Sequence, residues 1–243
     1  MITILFLAAN PTDTARLRLD AESRAIEIAL REAEFRDRFR LEKHYAVRVA
    51  DLPALLLRYQ PDILHFSGHG LTDNAILLED DAGLARPVPA QVLGRLLAAA
   101  GRQVRCAVLN ACYSHSQAAA MVEQIGCVIG MPSEVGDQTA IAFAAAFYQA
   151  LGYGQDIKTA FDLGCVQASL AGVDGDELPH LEAQNNAATA LRFVHAEIDK
   201  LADSQQTEPG VQRSSFSTTV TGGSVGQIVN IDSLEGGLTL GKG

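Results

Sequence analysis

Ile63-Leu64-His65-Phe66-Ser67-Gly68-His69-Gly70 and Cys106-Ala107-Val108-Leu109-Asn110-Ala111-Cys112-Tyr113-Ser114 share one plan. Each is a short apolar run that passes into small and polar residues, as a buried strand does where it spills into a loop. A doubly wound parallel sheet gathers the C-terminal ends of its strands along one edge, and ligand sites lie there. Two such strands side by side would bring the His69 imidazole next to the Cys112 thiol. An imidazole beside a thiol is the minimum equipment for nucleophilic attack on a carbonyl.

Working outward, strand-like and helix-like segments alternate. Ile2 to Ala8 reads as a buried strand and Leu19 to Phe39 as an amphipathic helix, with Ile26, Ala29, Leu30 and Ala33 on its apolar face. His44 to Val49 reads as a strand, Leu52 to Tyr59 as a short helix ending before Pro61, and Asp62 to Ser67 as the first motif strand. Ile76 to Glu79 and Leu84 to Pro87 flank Asp80 to Gly83, a small hairpin inserted beside the sheet. A helix over Pro89 to Ala100 leads to the second motif strand, Arg105 to Leu109, and a helix over Gln117 to Gln124 follows the cysteine. Val128 to Met131 is a further strand. Helices are expected over Thr139 to Leu151, Ile157 to Leu170 and roughly Asn186 to Leu201. This alternation predicts an α/β fold, a mostly parallel sheet with helices on both faces.

The organisation is read as one domain over residues 1–203 and a tail over 204–243. In the tail 19 of 40 residues are Gly, Ser or Thr, too many for another packed layer. Val225 to Ile231 and Leu238 to Leu240 are strand-prone but short. The tail is expected to be a docking strand for a regulatory protein partner, a cleavage site, or a disordered appendage.

Composition excludes several classes. A formal charge of −10 argues against a nucleic-acid or anionic-membrane surface. Apolar residues make up 48% of the chain and no apolar stretch reaches membrane-spanning length, so a soluble domain is expected. The N-terminal run lacks a basic region and meets Asn10-Pro11, which reads as a first strand rather than a signal peptide. Cys106, Cys112, Cys127 and Cys165 show no metal spacing and read as reduced thiols. The expected location is the cytoplasm, with no metal and no cofactor.

The chemistry centres on His69 and Cys112. A helix starting just after Cys112 would favour the thiolate, and Gly68 and Gly70 would let the backbone turn around the imidazole. The Gly70 and Cys112 amides are the expected oxyanion hole. His65 and His69 would stand about 13 Å apart along a strand, too far to share a metal, so His65 reads as a hydrogen-bonded strand residue. His115 is the rival base. A lone cysteine after a strand can equally be core packing, and Gly68-His69-Gly70 lacks the lysine and length of a phosphate loop.

Taken together, His65 to Gly70, Leu109 to Ser114, Val128 to Met131, and Asp137 to Phe143 continuing through Phe147 to Gly154 resemble the CHAT family of caspase-like peptidases, in the clan of caspases and separases. The resemblance spans roughly residues 1–171. It implies a caspase-like three-layer α/β/α sandwich and cleavage of peptide bonds in protein or peptide substrates. His69 would be the dyad imidazole, polarising the scissile bond or accepting the thiol proton, and Cys112 the nucleophile. It also implies an effector of a bacterial antiviral or cell-death system, held inactive until a partner releases it. Many clan relatives carry Asp two residues before the nucleophile to bind a basic P1 side chain; this chain has Asn110, so Glu134 or Asp137 is a candidate for that role, and Asp137 is equally a candidate helix N-cap. Two rivals are a catalytically silent adaptor working through tail and sheet edge, and a plain doubly wound signalling domain with Cys112 in its core.

Overall fold

Residues 2–8 are apolar almost without interruption, a pattern that suits a strand covered on both faces. The computed structural model of the protein describes residues 1–73, 75–100, 104–132, 136–172 and 177–195. Its strands are β1 (Ile2–Ala8), β2 (Phe39–His44), β3 (Ile63–Ser67), β4 (Gly70–Leu71), β5 (Ala75–Glu79), β6 (Ala85–Pro89), β7 (Cys106–Asn110), β8 (Cys127–Gly130) and β9 (His180–Ala183). Its α-helices are α1 (Leu19–Glu32), α2 (Leu52–Tyr59), α3 (Ala90–Ala99), α4 (His115–Met121), α5 (Asp137–Gly152), α6 (Ile157–Leu170) and α7 (Ala187–Ala190). A six-stranded sheet runs in the order β2-β1-β3-β7-β8-β9, and β4-β5-β6 form a separate three-stranded sheet. All pairs in the large sheet are parallel except β8 with β9.

The two faces of the sheet carry two cores. Ile4 and Phe6 of β1 pack with Ile26 and Leu30 of α1 and with Phe143, Phe147 and Tyr148 of α5. Leu5 and Leu7 join Leu52 and Leu56 of α2, Leu93 and Leu97 of α3, and Met121 of α4. Burial of each such side chain contributes about 1.5–3 kcal/mol. The result is three layers, helix, sheet and helix. The chain leaves β1 toward β2 through α1 on one face, then returns past β1 to β3 through α2 on the other. Loops after β1 and β3 therefore diverge, opening a crevice at their C-terminal ends.

Several boundaries differ from the sequence reading. The first helix stops at Glu32, because Ala33 is extended (φ −76°, ψ 159°) and a 3₁₀ turn at Arg36–Arg38 intervenes. The second strand is Phe39–His44, not His44 to Val49: it is the sheet edge, so its charged residues face water and its alternation is weak. Beyond it Ala46 takes a positive φ of 52°, which ends the strand. The expected helix over Asn186 to Leu201 reduces to Ala187–Ala190, with Leu191 already extended, and residues 196–201 lie outside the described residues. The antiparallel strand β9 was not anticipated. The tail, 204–243, also lies outside the described residues. Among the described residues no helix is long and apolar enough to cross a membrane.

Candidate active site

Strands β3 and β7 are neighbours in parallel register, with Ser67 opposite Asn110. His69 and Cys112 each stand two residues beyond that pair, so the two loops leave the sheet side by side. The Gly68 amide donates to the Asn110 carbonyl at 3.2 Å, continuing the contact past the strand ends. Gly70 then lies directly against the cysteine backbone: a Cβ built on it would sit 1.9 Å from the Cys112 carbonyl oxygen. A Cβ on Gly68 would meet the Ala9 carbonyl at 2.9 Å and the Phe66 ring at 2.8 Å. Neither glycine has positive φ. Close approach, rather than the tight turn expected from sequence, is what demands them.

The β1–α1 loop closes over the imidazole. His69 Nε2 donates to the Ala15 carbonyl at 2.6 Å. A carbonyl can only accept, so Nε2 carries the hydrogen and Nδ1 of the neutral ring keeps its lone pair. That loop is stitched in place. The Asn10 side chain both accepts from and donates to the Leu17 backbone, Thr12 N donates to the Gly83 carbonyl at 2.9 Å, and Asp13 accepts from Ala85 N at 2.9 Å. Neither the Ala15 carbonyl nor its anchors could be read from sequence, since a backbone acceptor leaves no residue signature.

Cys112 is half-buried and is followed by Tyr113 at φ 58°, an unusual conformation for a side-chain-bearing residue and one that sharpens the turn at the thiol. Ser114 pins the far side of the turn: its hydroxyl donates to the Leu109 carbonyl at 2.7 Å and accepts from Met131 N at 2.8 Å. The helix after the turn is His115–Met121, starting earlier than expected and only seven residues long. The Gly70 amide lies outside the β4–β5 ladder. The Leu77 amide donates to the His69 carbonyl at 2.9 Å, so the Gly70–Ile76 pair is a non-hydrogen-bonded one.

Other thiols differ in setting. Burial pushes the Cys106 thiol well above its usual range, with the neighbouring Cys127 adding to the effect. Burial raises Cys127 to about 11 and, with the Asp162 charge, Cys165 to about 11. The rival base His115 is exposed, its ring 5.7 Å from that of His180 on β9.

A narrow cleft with a cavity volume of about 30 Å³ opens beside Cys112. Asn110, Asp137 and Glu22 all line it. Asp137 is not the N-cap of α5; Gly136 is, and Asp137 opens the first turn. Its carboxylate accepts from Arg18 N at 3.1 Å, joining the start of α5 to the start of α1. Glu134 lies outside the described residues.

Glu22 is the residue the sequence reading missed. It is buried, and its carboxylate accepts from His65 Nε2 at 2.8 Å, from the Ser67 hydroxyl and from Asn110 Nδ2. His65 Nδ1 meets the Tyr148 hydroxyl at 3.1 Å. His65 is thus a hydrogen-bonded strand residue, as expected. A signal for Glu22 did exist: it falls with Leu19, Ile26 and Ala29 on the apolar stripe of α1, where a charge needs a reason. No group of three or more His, Cys, Asp or Glu that could hold a metal occurs among the described residues.

Residues 6–171 match the CHAT domain family. A Roc-COR-CHAT protease from an unidentified prokaryote is 27% identical over 161 residues, covering 63% of this chain and 15% of the relative. A probable protease from Gillisia limnaea is 24% identical over 159 residues, covering 64% of this chain and 28% of the relative. The chain therefore spans under a third of the length of these relatives. Among solved structures it is similar in fold to caspase-1 from Spodoptera frugiperda (TM-score 0.51, 13% identity, 75% of this chain and 85% of that one). It is also similar to a secreted C11 cysteine protease from Bacteroides thetaiotaomicron in complex with an irreversible peptide inhibitor (TM-score 0.55, 11% identity, 75% and 66%). The fold is caspase-like, and the chain belongs to the CHAT family.

Proposed function

We propose that the protein is a cysteine endopeptidase working through Cys112 and His69. The observation that carries this reading is the packing of Gly70 against the Cys112 backbone, which sets the two loops in contact at the sheet edge. In the first step the Cys112 sulfur attacks the carbonyl carbon of the scissile bond, and the thiol proton passes to His69 Nδ1. The Ala15 carbonyl, holding Nε2–H, orients the ring and stabilises the imidazolium. The oxyanion is held by the Gly70 and Cys112 amides. The intermediate collapses with cleavage of the C–N bond, and His69 returns its proton to the leaving amine. Water then attacks the thioester with His69 as base, releasing the carboxylate and restoring the thiol.

The same reading includes regulation. The cleft beside Cys112 has a volume of only about 30 Å³, which supports a resting state that works slowly until a partner widens it. The far greater length of the related proteases supports such a partner, supplied in trans or by neighbouring sequence, with the tail after Ser204 as its dock or as a cleavage site. A role as effector in bacterial antiviral defence or cell death, in the cytoplasm, fits a gated peptidase of this family. The adaptor alternative predicts binding without turnover.

The test is cleavage-site mass spectrometry on a proteome-derived peptide library, with wild type, Cys112→Ala and His69→Ala. Cuts made by wild type alone, sharing a P1 residue, support the peptidase. Identical, uncut maps for wild type and Cys112→Ala leave a gated peptidase or the adaptor. Fast labelling of Cys112 by a thiol-directed electrophile that slows in His69→Ala keeps the first; a Cys112 no more reactive than the other thiols refutes it and leaves the adaptor.

A further inference from the structure

We propose that Asp13 is a positioning residue for His69: it latches the loop between β1 and α1 onto the β5–β6 hairpin, so that the Ala15 carbonyl holds the imidazole in the orientation that attack by Cys112 requires. The inference rests on the peptidase reading above and adds to it the device that aims the base.

His69 is held at two points. Its backbone carbonyl accepts from Leu77 N of β5 at 2.9 Å, and its ring donates from Nε2 to the Ala15 carbonyl at 2.6 Å. The first hold fixes the residue but leaves the side-chain torsions free; the second selects one orientation of the ring. A carbonyl can hold a ring only if it is itself held. Ala15 is exposed and lies between β1 and α1, outside any regular element, so its place depends on how the loop around it is anchored.

Those anchors converge on one element. Asn10 N donates to Glu79 Oε1 at 3.1 Å. Thr12 donates to the Gly83 carbonyl from both N and Oγ1, at 2.9 and 3.1 Å, and the Asp13 carboxylate accepts from Ala85 N at 2.9 Å. Glu79, Gly83 and Ala85 all belong to the β5–β6 hairpin, whose Leu77 holds the His69 backbone. The small sheet therefore carries both holds on the histidine. Asp13 is the nearest of these latches to Ala15; Thr14, between them, turns back to the Pro11 carbonyl. Beyond Ala15 the loop is anchored elsewhere, Leu17 on the Asn10 side chain and Arg18 N on Asp137.

The hairpin is braced as a fixed post. In its turn the Asp80 carboxylate accepts from Leu84 N and Ala82 N at 2.9 and 2.8 Å, bonds that hold it below the usual carboxylate range, and Gly83 takes a φ of 76°. Arg48 ties Asp81 of the same turn to the chain after β2 at 3.3 Å. Glu79 and Ala85 face each other in the ladder, yet both amides leave it: Glu79 N goes to the Val47 carbonyl at 3.0 Å and Ala85 N to Asp13. The Ala85 amide is thus a donor that the sheet does not use, and the short Asp13 side chain, two residues before Ala15, meets it. The bond is exposed and adds little to stability. Its effect is geometric, since ring placement governs a proton transfer between His69 and the thiol.

The test compares wild type, Asp13→Ala, Asp13→Asn and His69→Ala by two readouts. One is the rate of Cys112 alkylation by limiting iodoacetamide, resolved by peptide mapping. The other is the His69 Nε2–H proton resonance, visible while a hydrogen bond slows its exchange with water and assigned by its loss in His69→Ala. In the wild type Cys112 should be the fastest thiol, and the resonance should be present. Asp13→Ala should slow Cys112 alkylation about tenfold, part of the roughly 100-fold that a misplacement of about 1 Å costs, and should lose the resonance. Asp13→Asn keeps the accepting oxygen and discards the charge, so it should stay within about threefold of wild type and keep the resonance. A merely structural role would lower Tm and leave the resonance in place; a merely electrostatic one would make Asp13→Asn as slow as Asp13→Ala. Either result, or Asp13→Ala within about threefold of wild type while His69→Ala is slow, overturns the inference and leaves the peptidase standing. A Cys112 no faster than the other thiols and indifferent to His69→Ala overturns the peptidase reading, and this inference with it.

Discussion

Gly70→Ala is the most informative single substitution in this fold. The new Cβ would lie 1.9 Å from the Cys112 carbonyl oxygen and 3.0 Å from its carbon, and ordinary contact begins near 3.4 Å. Neither neighbour is a flexible side-chain tip, so the two backbones must part by roughly 1.5 Å. A misplacement of about 1 Å at reacting groups costs on the order of 10²-fold in rate, and loss of one oxyanion donor costs about as much. The expected fall in kcat/KM is at least about 10²-fold, or about 2.7 kcal/mol of transition-state stabilisation. Overpacking also destabilises by about 1–3 kcal/mol. Gly164→Ala separates the two effects, because its Cβ would strike the Phe143 ring at 2.6 Å, between α5 and α6. Both variants should lose several degrees of Tm, measured by calorimetry. Only Gly70→Ala should lose turnover of a peptide substrate, assayed well below either Tm. Retention of kcat/KM within about threefold in Gly70→Ala would refute the claim that this contact sets the site.

Three further outcomes are expected. Under limiting iodoacetamide at pH 8, peptide mapping should find Cys112 modified before Cys127 and Cys165; thiols raised to about 11 hold only about 10⁻³ of their population as thiolate there, and earlier labelling of either would contradict the assignment. Asp156→Ala should cost about 1 kcal/mol, since Asp156 caps α6 by accepting from Thr159 N at 2.8 Å. Burial alone would raise that carboxyl, but the Thr159 donors and Arg192 outweigh it and hold it below its ordinary 3.8, so the Tm gap between wild type and variant should persist above that value and shrink as pH falls through the lowered one. Gln117→Leu should raise Tm, because both amide atoms of this buried side chain lack a partner among the described residues and each unmet group costs about 1–3 kcal/mol; a lower Tm would mean the amide is satisfied after all.

The parts of the fold legible in the sequence are those set by strong local patterns. Ile2–Ala8, Leu52–Tyr59 and Ile157–Leu170 were readable to the residue, because unbroken apolar runs and helical spacing end there at sharp stop signals. The edge strand Phe39–His44 was not, because a strand with one edge in water tolerates Arg40, Glu42 and Lys43 and loses its alternation. His180–Ala183 was hidden for a related reason: four residues joining the sheet antiparallel carry too little pattern to announce themselves.

At the site, the meeting of the two loops that carry His69 and Cys112 followed from one rule, that parallel strands end at a common edge. The Ala15 carbonyl is a backbone group and had no signature. Glu22 had one, a charge on the apolar stripe of α1, but its meaning depends on Ser67, Asn110 and His65, which only the folded sheet assembles. Asp137 drew attention as an acid before a helix; its partner, the Arg18 amide, comes from the other end of the domain and could not be foreseen.

The central claim is that Cys112, with the Gly70 amide poised across from it, attacks a peptide carbonyl. A crystal structure of the protein treated with a peptidyl aldehyde tests this most directly. The account predicts a thiohemiacetal on the Cys112 sulfur, with its oxygen about 2.7–3.1 Å from the Gly70 and Cys112 amide nitrogens and His69 Nδ1 turned toward the adduct. An adduct on another cysteine, or one on Cys112 whose oxygen faces away from the Gly70 amide, would contradict it.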